Sequence, residues 1–192
     1  MIKLDKDCII STLNECPIIA AIKNDSQLKQ CIKSDCKIIF VLYGSINTIA
    51  EIVSQLKKAG KTVFVHIDLI EGLSPREATV EFINRYVRPD GIVSTKLSLI
   101  KCAHSYGLIT VMRVFMIDSI AMKNIEKIYS EKDIDFIEIL PGLMPKIIGK
   151  IRSKTKTPVI SGGLISEKSD VVTALNAGAA AISSTNSDVW FM

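Results

Sequence analysis

The sequence predicts a single-domain (β/α)8 TIM barrel with short loops, and three observations carry that expectation. Eight short β-branched runs begin near Ile18, Ile38, Val63, Ile92, Leu108, Phe136, Pro158 and Ala180, each followed by a polar-periodic stretch long enough for a helix. Runs such as Ile38-Ile39-Phe40-Val41-Leu42 are apolar almost without interruption, the pattern of a strand buried on both faces of a parallel sheet. The 192 residues contain no Pro/Gly/Ser-rich linker, so one domain spanning 1–192 is expected. Since barrels of this kind usually need about 200 residues or more, the loops must be short and some helices abbreviated. An open, doubly wound sheet is the alternative, and the count of eight units favours closure.

Taken in order, residues 1–17 precede the first strand and are expected to form an N-terminal cap, a helix closing the bottom of the barrel. Asp25 or Ser26 reads as the cap of the next helix, and Gly60 as the stop of the one after it. Ser74-Pro75 reads as the opening of the third helix, and Gly107 and Gly178 as later stops. Near the end, Thr157-Pro158-Val159-Ile160-Ser161 reads as a strand running into a Gly162-Gly163 turn. One unit later, Ala180-Ala181-Ile182 runs into Ser183-Ser184-Thr185-Asn186 and a last short helix. Two consecutive strand exits rich in small residues can present backbone N–H groups to a phosphate, especially where the final helix begins. The seventh and eighth loops of such barrels commonly hold one.

Composition narrows the function classes. With 48% hydrophobic and 23% charged residues, the chain has the balance of a globular protein. No apolar run reaches the roughly 18 residues of a membrane span, and Asp5, Asp7, Asn14 and Glu15 interrupt any secretory signal, so a cytoplasmic location without membrane association is expected. Five cysteines without a C-x-x-C pair, and only His66 and His104 besides, predict free thiols and no metal site. Walker-type and G-x-G-x-x-G loops are lacking, which removes the usual handles for nucleotides.

The net charge of +4 is modest, but its distribution is uneven. After Glu138 no acid occurs until Glu167, while Lys146, Lys150, Arg152, Lys154 and Lys156 fill the interval. Lys146, Lys150 and Lys154 recur every fourth residue and would share one helix face. Such a face is ordinarily just solvated, and contact with a polyanion is the functional reading.

If the barrel closes, chemistry belongs at the carboxyl ends of its strands. Those ends read Lys23, Tyr43-Gly44, His66-Ile67-Asp68, Ser94-Thr95-Lys96, Arg113, Glu138, Ser161-Gly162-Gly163 and Ser183-Ser184. By alternation His66 and Asp68 point the same way, as do Val111 and Arg113, and Phe136 and Glu138. A charge directed outward would be trapped beneath the helices, so the inward top layer is expected to hold them. Pairing of Arg113 with Glu138 or Asp68 as a plain buried network is one reading. The other has Asp68 and Glu138 accepting from ligand hydroxyls while Lys96 or Arg113 neutralises a phosphate. His66, with no nucleophile beside it, reads as a pocket-wall or packing histidine.

The runs His66-Ile67-Asp68-Leu69-Ile70-Glu71-Gly72-Leu73, Asp90-Gly91-Ile92-Val93-Ser94-Thr95-Lys96, Arg113-Val114-Phe115-Met116-Ile117-Asp118-Ser119, Glu138-Ile139-Leu140-Pro141-Gly142 and Ser161-Gly162-Gly163-Leu164-Ile165 resemble those of the glycerol uptake operon antiterminator regulatory proteins. The resemblance runs along essentially the whole chain; Met112 and Ser161 stand where Gln and Ala are expected. It implies a bacterial, non-catalytic regulator on a (β/α)8 barrel that needs no cofactor, senses glycerol 3-phosphate and acts on the leader mRNA of glycerol-catabolic genes. Carried over by motif, Gly162, Gly163, Ser184 and Thr185 would hold the phosphate, and Asp68, Lys96, Arg113 and Glu138 would line the glycerol end. Lys146, Lys150 and Lys154 are the candidates for RNA contact, and a homo-oligomer stays open. The competing reading is a TIM-barrel isomerase or aldolase acting on a small sugar phosphate, with Lys96 as Schiff-base amine and Asp68 and Glu138 as acid and base.

Overall fold

Eight parallel strands, each paired with the next in sequence and the last with the first, close into a barrel in the computed structural model, which describes residues 5–192. The strands are β1 (Ile18–Ile22), β2 (Ile38–Val41), β3 (Thr62–His66), β4 (Gly91–Ser94), β5 (Ile109–Phe115), β6 (Phe136–Leu140), β7 (Val159–Gly162) and β8 (Ala181–Ser184). Each starts within one residue of its expected position. Followed once round the barrel, the registers return displaced by about eight residues, the stagger of an eightfold barrel.

Period-two alternation divides the core in two. Ile19, Ala21, Phe40, Phe64, Val93, Val111, Phe136, Ile160 and Ala181 fill the lumen. Their neighbours, among them Ala20, Val41, Val65, Ile92, Ile137 and Ile182, pack under the helices. Burial on both sides explains the unbroken apolar runs.

The helices are α1 (Lys6–Glu15), α2 (Asp25–Lys33), α3 (Ile49–Lys58), α4 (Glu77–Phe82), α5 (Leu97–Ser105), α6 (Ser119–Ile128), α7 (Pro145–Arg152) and α8 (Lys168–Asn176). Of the stretch read as a cap, residues 1–4 lie outside the described residues, while α1 packs Ile9 and Leu13 into the luminal cluster. The helix after β1 is capped by Asn24, whose side chain accepts from the Gln27 amide; Asp25 is already in its first turn. The expected opening at Ser74-Pro75 also moves. The chain bends there instead, with the Ser74 carbonyl accepting from the Arg76 amide and from Thr79 Oγ1, and α4 starts at Glu77, continuing as a π-helical turn through Ile83–Val87. Gly60, Gly107 and Gly178 take the left-handed conformation at helix ends.

Among the described residues no helix is long and apolar enough to cross a membrane. All five cysteines are free. Burial raises Cys31 and Cys36 to about 11, which leaves both thiols protonated and unreactive at neutral pH.

Candidate functional site

Inward parity places Arg113, Glu138 and Ser183 in the layer above the luminal apolar cluster. Arg113 and Glu138 are register partners on β5 and β6, and Gly162 and Ser183 on β7 and β8. Arg113 donates from Nε to Glu138 Oε2 over 2.6 Å, and Ser183 Oγ donates to Glu138 Oε1 over 2.5 Å. Glu138 is wholly buried and Arg113 is 7% exposed. A buried carboxylate is tolerable only when its oxygens are satisfied in this way.

Gly162 makes that contact geometrically possible. Glu138 on β6 reaches across β7 to Ser183 on β8, through the space a side chain at 162 would take. A Cβ there would stand 2.5 Å from Ser183 Oγ and 2.7 Å from Glu138 Oε1. Gly162 does not line the cavity described below; it supplies room for the network beneath it.

That cavity, of about 420 Å³, opens above the network at the mouth of the barrel. Arg113, Glu138 and Ser183 form one wall, and the loops after β7 and β8, from Gly163 to Ser166 and from Ser184 to Asn186, form the other. Ala21, Leu42 and Leu140 complete the lining. Gly163 and Leu164 both adopt positive φ, 78° and 63°. Such a conformation is ordinary for glycine and strained for leucine, whose side chain is 74% exposed and so gains no packing in return. Among the described residues, the amides of Gly163, Leu164, Ile165 and Thr185 find no acceptor within the chain. Side-chain bonds tie the two loops together: Ser184 Oγ donates to the Ile165 carbonyl at 2.8 Å, and Asn186 Nδ2 to that of Ser166 at 3.3 Å. The structure thus brings Gly163, Ser184, Thr185, Arg113 and Glu138 around one space.

The last helix contributes less than its sequence position suggested. It is a five-residue 3-10 turn, Ser187–Phe191, and Asn186 Oδ1 already accepts from the Asp188 amide. The free donors belong to the loops instead.

Asp68 and Lys96 stand apart from this cavity. Beyond His66 the chain turns into a 3-10 helix, Ile67–Leu69, so strand alternation ends before Asp68. Its carboxylate accepts from Ser94 Oγ, Thr95 N and Thr95 Oγ1, fastening β3 to the exit of β4. Lys96 is exposed at the cap of α5. Asp68 is therefore not the partner of Arg113, and neither residue lines the cavity.

His66 is buried; among the described residues its Nδ1 has no hydrogen-bond partner, and it lies 3.9 Å from Asp68 Oδ2. Burial first, and then the Arg113 guanidinium, push its pKa down to about 4, with Asp68 opposing. It is neutral at pH 7, which leaves Arg113 as the buried cation of this layer.

The basic segment also departs from its expected form. Lys146 and Lys150 are exposed one turn apart on α7, whereas the helix ends at Arg152 and Lys154 lies beyond it, paired with Glu126 of α6. The shared face comprises two lysines. Ser183 reads in the sequence only as one of the small residues at a strand exit, although its parity with Ala181 marks it as inward; the neighbour that makes it matter, Glu138, is two strands away.

Known proteins match along nearly all of the chain. A family model described as glycerol-3-phosphate responsive antiterminator matches residues 18–190. The uncharacterized protein YgcP of Escherichia coli (strain K12) is 43% identical over 95% of each chain. The crystal structure of a glycerol uptake operon antiterminator regulatory protein from Listeria monocytogenes superposes with a TM-score of 0.88 at 30% identity, covering 91% of this chain and 95% of that one. A glycerol uptake operon antiterminator-related protein from Thermotoga maritima gives 0.80 at 30% identity, with 91% and 98% covered.

Proposed function

The chain belongs to the family of glycerol-3-phosphate responsive antiterminators, and from that premise we propose that it binds glycerol 3-phosphate in the mouth of its barrel and, in that state, engages the leader mRNA of glycerol-catabolic genes. One observation carries the ligand half of this reading. The loop amides at 163–165 and 185, which find no acceptor among the described residues, belong to residues that line a single cavity of about 420 Å³ together with the Arg113–Glu138–Ser183 network. The amides suit a phosphate, together with the unbonded Thr185 hydroxyl, and the network suits the hydroxyl end of a three-carbon chain.

Hydrogen bonds between the neighbouring loops support a route from ligand to RNA. The Gly142 amide donates to the Gly163 carbonyl at 3.0 Å, and Ser161 Oγ to the Gly142 carbonyl at 3.0 Å. The phosphate loop is thereby fastened to the loop that leads into α7, which carries Lys146 and Lys150. A ligand that fixes Gly163 would fix the approach to α7, and the two affinities would rise together by linkage.

The enzyme reading draws less support, because Lys96 is exposed and outside the cavity, and Glu138 is committed to Arg113 and Ser183. Titrating leader RNA at several salt concentrations, with and without glycerol 3-phosphate, tests the proposal. Tighter binding with the effector is expected, and equal affinities would refute it. Incubation with glycerol 3-phosphate or triose phosphates, followed by NMR, should show no conversion.

A further inference from the structure

We propose that Glu138 makes this cavity selective for a phosphorylated polyol and against a phosphorylated hydroxy acid of the same length. The inference rests on the ligand reading above and adds to it which chemistry the pole opposite the phosphate loops accepts.

Arg113 presents a divided guanidinium. Its Nε is committed to Glu138, while its two Nη groups find no acceptor among the described residues and are not sealed from solvent. Arg113 points inward by strand parity, is only 7% exposed and lines the cavity beside Glu138, so the cavity gives a ligand access to those groups. An open pair of guanidinium N–H groups is ordinarily a fork for carboxylates. Here the charge behind the fork is already cancelled. Glu138 is fully buried, with both oxygens held, so it stays close to Arg113 whatever the ligand. A ligand carboxylate on the fork would set a second anion against a buried first one in a region of low dielectric, while a ligand hydroxyl would accept from the same N–H groups without that repulsion.

Among the described residues that line the cavity, Arg113 is the one cation. His66 beside it is neutral, and Asp68 is bound to Ser94 and Thr95. The pole is thus a neutral, donor-rich surface, suited to a hydroxymethyl end.

Calorimetry with the full chain tests this, using glycerol 3-phosphate and 3-phosphoglycerate, which share the phosphate ester and the central hydroxyl. The unaltered protein should bind the former at least about tenfold more tightly. Glu138→Gln should shrink that ratio at least about tenfold, chiefly by gaining affinity for the acid. Ser183→Ala, which keeps both charges, should weaken both ligands and keep the ratio. An unchanged ratio in Glu138→Gln overturns the inference while leaving the glycerol 3-phosphate reading intact. Equal binding of both esters by the unaltered protein overturns it even if Glu138→Gln fails to fold, and binding of neither overturns both readings.

Discussion

Gly162 stands in register with Ser183, and the hydrogen bond from Ser183 to Glu138 passes through the space its missing side chain leaves. Gly162→Ala should therefore act as overpacking at a buried charge. It is expected to destabilise the fold by about 1–3 kcal/mol and to weaken ligand binding as well. Ser183→Ala alone should destabilise by leaving Glu138 Oε1 without its donor. Because the two changes occupy the same space, the double variant should be more stable than the sum of the singles, as urea denaturation of all four proteins will show. Strict additivity would mean that the two residues do not meet.

Gly163 makes a different contribution, since it holds a φ of 78° in a loop that lines the cavity. Asn and Asp tolerate this conformation better than other residues and are nearly equal in size, so the pair separates geometry from charge. A Cβ at 163 would lie 3.2 Å from Leu140 Cδ2, a contact that a flexible leucine end can relieve. Gly163→Asn should bind glycerol 3-phosphate within a few-fold of the unaltered chain. Gly163→Asp should lose at least about tenfold more, by placing a carboxylate against the phosphate. Equal calorimetric affinities for the two variants would remove the phosphate from this loop.

The barrel was legible because apolar strands buried on both faces leave an unbroken signal, as at Ile38–Val41, and because Gly107 and Gly178 mark real helix ends. Arg113 and Glu138 were legible because a charge two residues beyond a luminal side chain has no other address. Asp68 was misplaced by the same rule. Alternation holds only while the chain remains a strand, and nothing in His66-Ile67-Asp68 announces a 3-10 turn. Lys154 was misplaced because periodicity carried a helix past Arg152, where Ser153 ends it. The role of Gly162 could not be read from sequence, since it depends on strands to either side, 24 and 21 residues away along the chain.

His66 makes stability depend on pH. Its folded pKa is about 4 against an ordinary value of 6.5, so protonation favours the unfolded chain. The stabilisation is complete above pH 6.5 and is lost progressively as pH falls through about 4. The difference amounts to about 3 kcal/mol. Carboxylates titrate in the lower part of that window, so the readout is the difference from His66→Gln, which cannot titrate. Urea midpoints measured from pH 7.5 to 4.5 should fall more steeply for the unaltered protein; parallel curves would show that the imidazole finds a proton acceptor in the fold.

The RNA surface gives the prediction with most at stake. Lys146 and Lys150 project from one face of α7, while Lys154 is already neutralised by Glu126. Replacing Lys146 and Lys150 by Glu should lower leader RNA affinity and, if each contacts one phosphate, reduce the slope of log K against log salt by about two. Replacing Lys154 together with its partner, as Lys154→Gln and Glu126→Gln, should cost little more, because the pair carries no net charge. Glycerol 3-phosphate affinity measured without RNA should stay within twofold, since neither lysine lines the cavity. The effector's enhancement of whatever RNA binding remains should persist, because the bond from Gly142 to Gly163 that links the loops is untouched. A variant that loses RNA binding but keeps the full salt slope has been damaged in shape rather than charge, and an unaltered RNA affinity would move the footprint off α7.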